Sequence, residues 1–169
     1  MGKNGERPRV LVSACLLGQA VRYDGGHRRH AWLVEELLPR IEPVAACPEV
    51  GIGLGVPRPP IQLVSIGEEV RALGVEDASL DVTQALKDYG HRWRQERLDG
   101  AILKARSPSC GQGTTPLFDG SGRERGLTSG LFARALLEIL PPERCIDEQG
   151  LDDPARRAAW LAAVLSGHW

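Results

Sequence analysis

The run Val10-Leu11-Val12-Ser13-Ala14-Cys15 opens as an apolar, β-branched strand and stops at a cysteine. The same pattern recurs in Val44-Ala45-Ala46-Cys47, and again where Ala101-Ile102-Leu103 is followed by Ser107-Pro108-Ser109-Cys110. In an open α/β sheet the carboxyl ends of parallel strands meet at one crevice, where ligands bind. The sequence therefore predicts that Cys15, Cys47 and Cys110 gather at one edge of a parallel sheet.

Outward from these segments, strand and helix patterns alternate along the chain. Strands are predicted over 9–14, 42–46, 101–105 and 144–147, with a short antiparallel hairpin over 61–66 and 69–73. Helices are predicted over 31–38, 81–98 and 128–140, and a last one over about 153–167. The glycine-rich stretch 111–126 is predicted to be a long loop.

This βαβ rhythm favours the α/β class. We expect one domain over residues 9–169, built as a mostly parallel sheet flanked by helices in a Rossmann-like three-layer arrangement. Residues 1–8 are polar and are expected to form a flexible N-terminus.

Composition narrows the class of protein. The 169 residues include 21 Lys and Arg against 22 Asp and Glu, a formal charge of −1. That balance argues against a large nucleic-acid footprint, and no stable nucleic-acid partner is expected. The sequence also shows neither a secretory leader nor an apolar run of membrane-spanning length, so we expect no membrane partner and a cytoplasmic location. Cytosolic cysteines are more often metal-binding or catalytic than disulfide-bonded.

The cysteines are too far apart in sequence to match Cys-x-x-Cys metal motifs, so only the fold can bring them together. Thiolates select zinc, cuprous copper or iron–sulfur clusters. Three thiolates would leave one coordination position open for a substrate. The alternative is that the cysteines are buried packing residues, which is our interpretation of the fourth cysteine, Cys145.

Several polar residues near the cysteines suit a reactive site. Glu49 follows Cys47 closely and can act as a general acid or base, or be an ordinary surface glutamate. Ser107 and Ser109 can orient a substrate or water, or bond to turn backbone. Positive charge for an anionic substrate group, or for the charge of a cluster, comes from Arg58, Lys104 and Arg106.

Other motifs carry weaker signals. The polar turn Arg22–His27 forms a pocket wall or a plain surface loop. His27 and His30 alone are too few ligands for a metal site. The glycines of 51–55 do not match the Rossmann fingerprint and no Walker A lysine is present, so NAD and ATP dependence are not expected.

Taken together, these motifs resemble those of the thiouracil desulfidase (TudS) family, a former domain of unknown function. The similar blocks run in family order from about residue 9 to residue 133. They are Val12-Ser13-Ala14-Cys15-Leu16-Leu17-Gly18, Val21-Arg22-Tyr23-Asp24-Gly25-Gly26, Cys47-Pro48-Glu49-Val50, Pro57-Arg58-Pro59-Pro60, Asp81-Val82-Thr83 and Ala101-Ile102-Leu103-Lys104-Ala105-Arg106-Ser107-Pro108-Ser109-Cys110-Gly111.

The resemblance implies an oxygen-sensitive 4Fe–4S cluster held by Cys15, Cys47 and Cys110, with one iron free to bind the thiocarbonyl sulfur of a small thiolated pyrimidine base or nucleotide. It implies a desulfidase that converts 4-thiouracil or 4-thiouridine monophosphate to the oxo form and releases hydrogen sulfide without net redox change. By the same resemblance, Glu49 is the acid/base and Ser107 the orienting hydroxyl.

Four further residues are expected on the substrate side of the site: Ser13, Arg58, Lys104 and Ser109. The chain departs from the family pattern at Gln62, where glutamate is common, and in the divergent loop 126–130. Both departures bear on substrate choice and neither touches the cysteines.

Two alternatives to this activity stay open at the level of sequence. One is a non-catalytic iron–sulfur or zinc-binding protein. The other is a metal-free enzyme that uses Cys47 as a nucleophile beside Glu49.

Overall fold

The computed structural model describes residues 7–165 and contains two four-stranded sheets. The first is parallel, in the order β2-β1-β5-β8, and its strands are β1 (Arg9–Ser13), β2 (Glu42–Ala46), β5 (Gly100–Leu103) and β8 (Cys145–Asp147). The second is mixed, in the order β4-β3-β6-β7, and its strands are β3 (Ile61–Ile66), β4 (Glu69–Gly74), β6 (Thr115–Phe118) and β7 (Glu124–Thr128).

Helices flank these sheets. The α-helices are α1 (Pro48–Gly51), α2 (Thr83–His91), α3 (Leu131–Leu136), α4 (Glu148–Leu151) and α5 (Pro154–Leu165). A helical segment over 31–40 contains one wider turn at Leu33–Leu37, where the N–H of Leu38 donates to the carbonyl of Leu33.

The two central strands of the parallel sheet, β1 and β5, are buried on both faces, as their continuous apolar sequences predict, whereas the edge strand β2 is largely exposed. In β1, Val10 and Val12 pack on one side against Leu33 and Trp160, while Leu11 packs on the other side against Phe132. A third cluster lies under the mixed sheet, formed by Ile61, Leu63, Ala72, Val82, Leu86 and Leu131. The fold is therefore a helix–sheet–helix α/β arrangement to which a second sheet is joined.

The predicted α/β fold is confirmed, including all four parallel strands and the 61–73 hairpin. The prediction of a long loop over 111–126 is wrong, because β6 and β7 pair there as a hairpin. The side chain of Asp119 accepts hydrogen bonds from the backbone N–H groups of Ser121 and Arg123, which closes the turn. The glycines in this stretch therefore belong to a turn between strands.

The predicted ends of the helices were less accurate than the predicted strands of the parallel sheet. The helix predicted over 81–98 is α-helical over Thr83–His91 and continues as a 3-10 turn over Arg92–Gln95. The helix predicted over 128–140 begins at Leu131, because Thr128 ends β7. The last helix begins at Pro154 as predicted. Its expected end at 167, like residues 1–6 of the expected flexible N-terminus, lies outside the described residues.

Within residues 7–165, no helix is both long and apolar enough to span a bilayer.

Candidate active site

The three strand-end cysteines line one cavity of about 490 Å³ at the carboxyl edge of the parallel sheet. Cys15 lies in a 3-10 turn directly after β1, and Cys47 caps helix α1 directly after β2. Cys110 follows β5 by a longer loop. The thiol of Cys47 donates to the carbonyl oxygen of Val21 over 3.8 Å, which ties the chain segment after the first cysteine to the second.

The loop from β5 to Cys110 is held by the hydroxyl of Ser107. Its Oγ accepts hydrogen bonds from the backbone N–H groups of Ser109 (3.1 Å) and Cys110 (3.0 Å). The Ser107 carbonyl accepts from the hydroxyl of Thr115 on the mixed sheet, over 2.6 Å. Arg106, at φ 66°, turns the backbone through the left-handed region. Ser107 thus fixes the backbone on both sides of the third cysteine.

Helix α3 braces the same loop from behind. The N–H groups at its start donate to loop carbonyls: Leu131 to Pro108 over 3.2 Å and Ala133 to Ser109 over 3.0 Å. Gly130 sits so close to the Ser109 backbone that a Cβ atom there would clash with it. The free donors of a helix start and the free carbonyls of the cysteine loop therefore satisfy each other.

Glu49 extends from α1 into the cavity, and both of its carboxylate oxygens accept hydrogen bonds. Arg58 donates from Nε to Oε1 over 3.0 Å, and Ser109 donates from its hydroxyl to Oε2 over 2.9 Å. The side chains of Arg58 and Glu49 are only 5% and 12% exposed, so this ion pair is largely shielded from water. The orientation of the carboxylate is fixed by these two donors.

Lys104 begins the loop after β5 and forms an ion pair with Glu148, Nζ to Oε2 at 2.7 Å. The other carboxylate oxygen of Glu148 accepts from the backbone N–H of Ala105 over 2.6 Å. The backbone N–H of Lys104 in turn donates to the hydroxyl of Ser13 over 2.9 Å. Glu148 was not predicted as a site residue, although it follows a predicted strand as the cysteines do.

Positive charge dominates the cavity wall. The cationic residues that line it are Arg22, Arg28, Arg58, Lys104 and Arg106, and Glu49 is the carboxylate among the lining residues. The cavity is therefore suited to hold anionic contents.

Burial raises the pKa of the thiols of Cys15 and Cys110. Loss of water contact raises the pKa of Cys15 to about 11, although the charges of Lys104 and Arg22 oppose this rise. The pKa of Cys110 is raised further by complete burial, opposed in part by a hydrogen bond from Ser13. Because a metal ligand must be a thiolate, binding of a metal centre here would release protons.

Tyr89 of helix α2 lies near the same sulfurs. Its pKa is raised by burial and by the proximity of Cys47 and Cys110. A Cβ atom at Gly51 would clash with the Tyr89 ring, and the ring also packs 5.5 Å from that of Phe132. Tyr89 lies within the helix predicted over 81–98, and nothing in the sequence distinguishes it from a packing residue.

All nine predicted site residues line this cavity: Ser13, Cys15, Cys47, Glu49, Arg58, Lys104, Ser107, Ser109 and Cys110. Arg22 and Tyr23, from the turn predicted as a pocket wall or surface loop, line it too. Other candidates lie elsewhere. His30 contacts Asp152 at 2.7 Å, Gln62 pairs with Leu73 in the mixed sheet, and Cys145 begins β8, at the opposite edge of the parallel sheet.

Comparison with known proteins places this site in a family. Residues 10–147 match the model of the 2-thiouracil desulfurase family. The Bacillus subtilis (strain 168) protein YbbK is 31% identical, over 85% of this chain and 98% of its own length. The solved structure of the 4Fe–4S-dependent thiouracil desulfidase TudS is 30% identical, with a TM-score of 0.67, over 90% of this chain and 99% of its own. The chain thus belongs to the 2-thiouracil desulfurase family, as its sequence motifs predicted.

Proposed function

We propose that the protein is a 4Fe–4S-dependent desulfidase of thiolated pyrimidines. The observation that carries this proposal is the convergence of Cys15, Cys47 and Cys110, from three adjacent parallel strands, on one cavity that also holds Glu49. Family membership and the activity of the similar solved enzyme support it. In the reaction, one water replaces the thiocarbonyl sulfur by oxygen, and the sulfur leaves as hydrogen sulfide with no change in oxidation state.

The donor set fits an iron–sulfur cluster. Cys15, Cys47 and Cys110 line one cavity, and thiolates are soft ligands that select iron–sulfur clusters, zinc or cuprous copper. The cationic wall also matches the net negative charge of a cluster with three thiolates.

Cys15, Cys47 and Cys110 would hold such a cluster. When bound through three protein ligands, it supplies one open iron, a Lewis acid that prefers sulfur to oxygen. Glu49 would move the protons: its carboxylate takes a proton from the attacking water and returns one to the departing sulfur. Arg58 and Ser109 hold that carboxylate in place for this exchange.

We infer that Ser107 serves both the loop and the substrate. Its oxygen accepts two backbone hydrogen bonds, and its hydroxyl proton remains available for a substrate or water. The four residues predicted to bind substrate each contact another part of the site: Ser13 holds Lys104, Lys104 pairs with Glu148, and Arg58 and Ser109 hold Glu49. Their direct contact with substrate stays a prediction.

The positive cavity wall supports an anionic substrate, and we propose that 4-thiouridine monophosphate is used at least as well as 4-thiouracil. A phosphate would meet charge from Arg28 and Arg106, whose side chains are exposed at the cavity wall. The cavity volume of about 490 Å³ is in the range of small-molecule sites.

The test is anaerobic purification, or reconstitution, followed by iron analysis and a substrate series. We expect a brown protein with about four irons per chain. It should release sulfide from 4-thiouracil and 4-thiouridine monophosphate, with oxygen from labelled water in the product. 4-Thiouridine and thiolated tRNA complete the series. A colourless protein that holds one zinc, or full activity after iron has been chelated, would reject the proposal.

A further inference from the structure

A buried polar atom in the cavity wall has no partner. The Nε of Arg22 is shielded from solvent, yet it makes no hydrogen bond to any atom in the described part of the chain. Asp24 approaches it, but at 3.9 Å from Oδ1 to Nε the contact is too long for a hydrogen bond. Buried donors are nearly always satisfied, so this N–H indicates a missing acceptor.

The backbone around Arg22 is fixed beside the cysteines. The preceding residue, Val21, accepts from the thiol of Cys47, and the following residue, Tyr23, accepts from the backbone N–H of Arg58 over 2.8 Å. The turn itself is closed by the bond from the Gly25 N–H to the Arg22 carbonyl, over 2.8 Å. The Arg22 side chain therefore lines the cavity from a segment that is bonded to Cys47 on one side and to Arg58 on the other.

The charge of Arg22 is only weakly offset by its neighbours. Arg22 and Lys104 are both cations in the wall of the cavity that the cysteines line. Lys104 is neutralised by Glu148 at 2.7 Å, whereas Arg22 has Asp24 at 3.9 Å, with that carboxylate 44% exposed. Arg22 is thus the less neutralised of the two cations.

We propose that Arg22 is a positioning residue for the cluster, its Nε–H donating to a sulfur of the bound cluster and its charge offsetting the cluster's negative charge. This inference rests on the proposed function. A sulfur acceptor accounts for the missing partner because Nε is shielded from solvent on a residue that lines the same cavity as the cysteines, whereas Arg28 and Arg106 line that cavity with exposed side chains. Neighbouring hydrogen bonds and charge tune the stability and reduction potential of iron–sulfur clusters.

Three variants test this: Arg22→Gln removes the charge, Arg22→Lys keeps the charge without the planar guanidinium, and Arg28→Gln is the matched control. Arg28 lines the same cavity, but its side chain is exposed and bonds to the His27 carbonyl. The two readouts are the rate of iron loss to a ferrous chelator under anaerobic conditions and the reduction potential of the reconstituted cluster. Neither depends on turnover.

For Arg22→Gln we expect iron loss to be roughly 10- to 100-fold faster, the effect typical of removing a partner of a metal site. Its reduction potential should shift to more negative values, because a lost positive charge disfavours the more negative reduced cluster. Arg22→Lys should fall between this variant and the parent. Arg28→Gln should match the parent in iron loss and reduction potential, because solvent screens the exposed charge of Arg28.

Unchanged iron loss and an unchanged reduction potential in both Arg22 variants would overturn the inference. If the KM for substrate rose in these variants while iron loss and potential stayed unchanged, Arg22 would instead belong to substrate binding. These outcomes leave the proposed function intact. If the unsubstituted protein takes up no cluster, the proposed function fails and this inference fails with it.

Discussion

The two sheets contribute differently to the site. The carboxyl edge of the parallel sheet supplies the three cysteines, Lys104 and Glu148. Of the mixed sheet, within the part of the chain described, only Ile61 and the adjacent Pro60 line the cavity. The reactive groups thus come from the ends of strands that point into one crevice, as expected for open parallel sheets.

The mixed sheet supports the site from outside. Thr115 of β6 bonds to the Ser107 carbonyl, and Gly130, which joins β7 to helix α3, packs directly on the Ser109 backbone. Both contacts hold the loop that carries Cys110. The parallel sheet therefore positions the reactive side chains, and the mixed sheet helps to set the conformation of the loop that runs from β5 to Cys110.

The largest expected effect comes from the cysteines at the parallel edge. Replacing Cys15, Cys47 or Cys110 by Ala should abolish cluster binding and lower activity more than about 100-fold, beyond the loss seen when only a neighbour of a metal ligand is removed. Iron and sulfide content after anaerobic reconstitution measures this directly.

Cys145→Ala is the matched control, because Cys145 begins β8 in the same sheet but at its opposite edge. This variant should keep the iron content of the parent. Loss of the cluster in Cys145→Ala, with retention in any one of the other three variants, would contradict the assignment of ligands to the carboxyl edge.

The second effect separates catalysis from cluster binding. Glu49→Gln should keep its iron, since the glutamine oxygen can still accept from Arg58 while its amide NH2 can donate to the hydroxyl of Ser109, but kcat should fall about 10²- to 10⁴-fold with the loss of proton transfer. Glu124→Gln removes the same charge from exposed β7 of the mixed sheet and should leave kcat unchanged. Equal activity of Glu49→Gln and the parent would remove Glu49 from the reaction.

Much of the parallel edge could be predicted from sequence because its signals are local. An apolar run that ends at a cysteine marks both a strand and a position at its carboxyl end, and this identified Cys15 and Cys47 directly. Glu148 carries the same signal, since it follows the predicted strand 144–147. It was missed because a lone glutamate after a short strand looks like a surface residue until β8 is known to neighbour β5.

The mixed sheet was harder to predict because its signals depend on distant contacts. The hairpin of β6 and β7 in the glycine-rich stretch was not predicted, because both strands are short and β7 is exposed along most of its length. The roles of Thr115 and Gly130 arise only when the Cys110 loop packs against them. Likewise, the missing partner of Arg22 Nε is a property of burial, which residue type and spacing do not reveal.

A smaller effect tests the support that the junction between β7 and α3 gives to the Cys110 loop. Gly130→Ala places a Cβ atom against the Ser109 backbone and should cost about 1–3 kcal/mol of folding stability through overpacking. Gly120→Ala, in the β6–β7 turn, meets no atom within 4 Å and should be close to neutral. Urea unfolding of both apo variants measures the difference; equal stabilities would show that the loop does not depend on this contact.

The smallest effect is a pH dependence at Cys145. Burial raises the pKa of its thiol from 9.0 to about 12, so the unfolded chain loses this proton before the folded protein does. Its contribution to folding stability is therefore complete below pH 9 and is lost as the pH rises towards 12. The stability difference between the parent and Cys145→Ala should be constant from pH 7 to 8 and should narrow by on the order of 1 kcal/mol by pH 10.

Urea unfolding midpoints across this pH range measure the stability difference in the apo proteins, where the other thiols titrate identically in both. A difference that stays constant to pH 11 would mean that the Cys145 thiol is as well solvated in the fold as in the unfolded chain, and that the parallel sheet does not bury this edge.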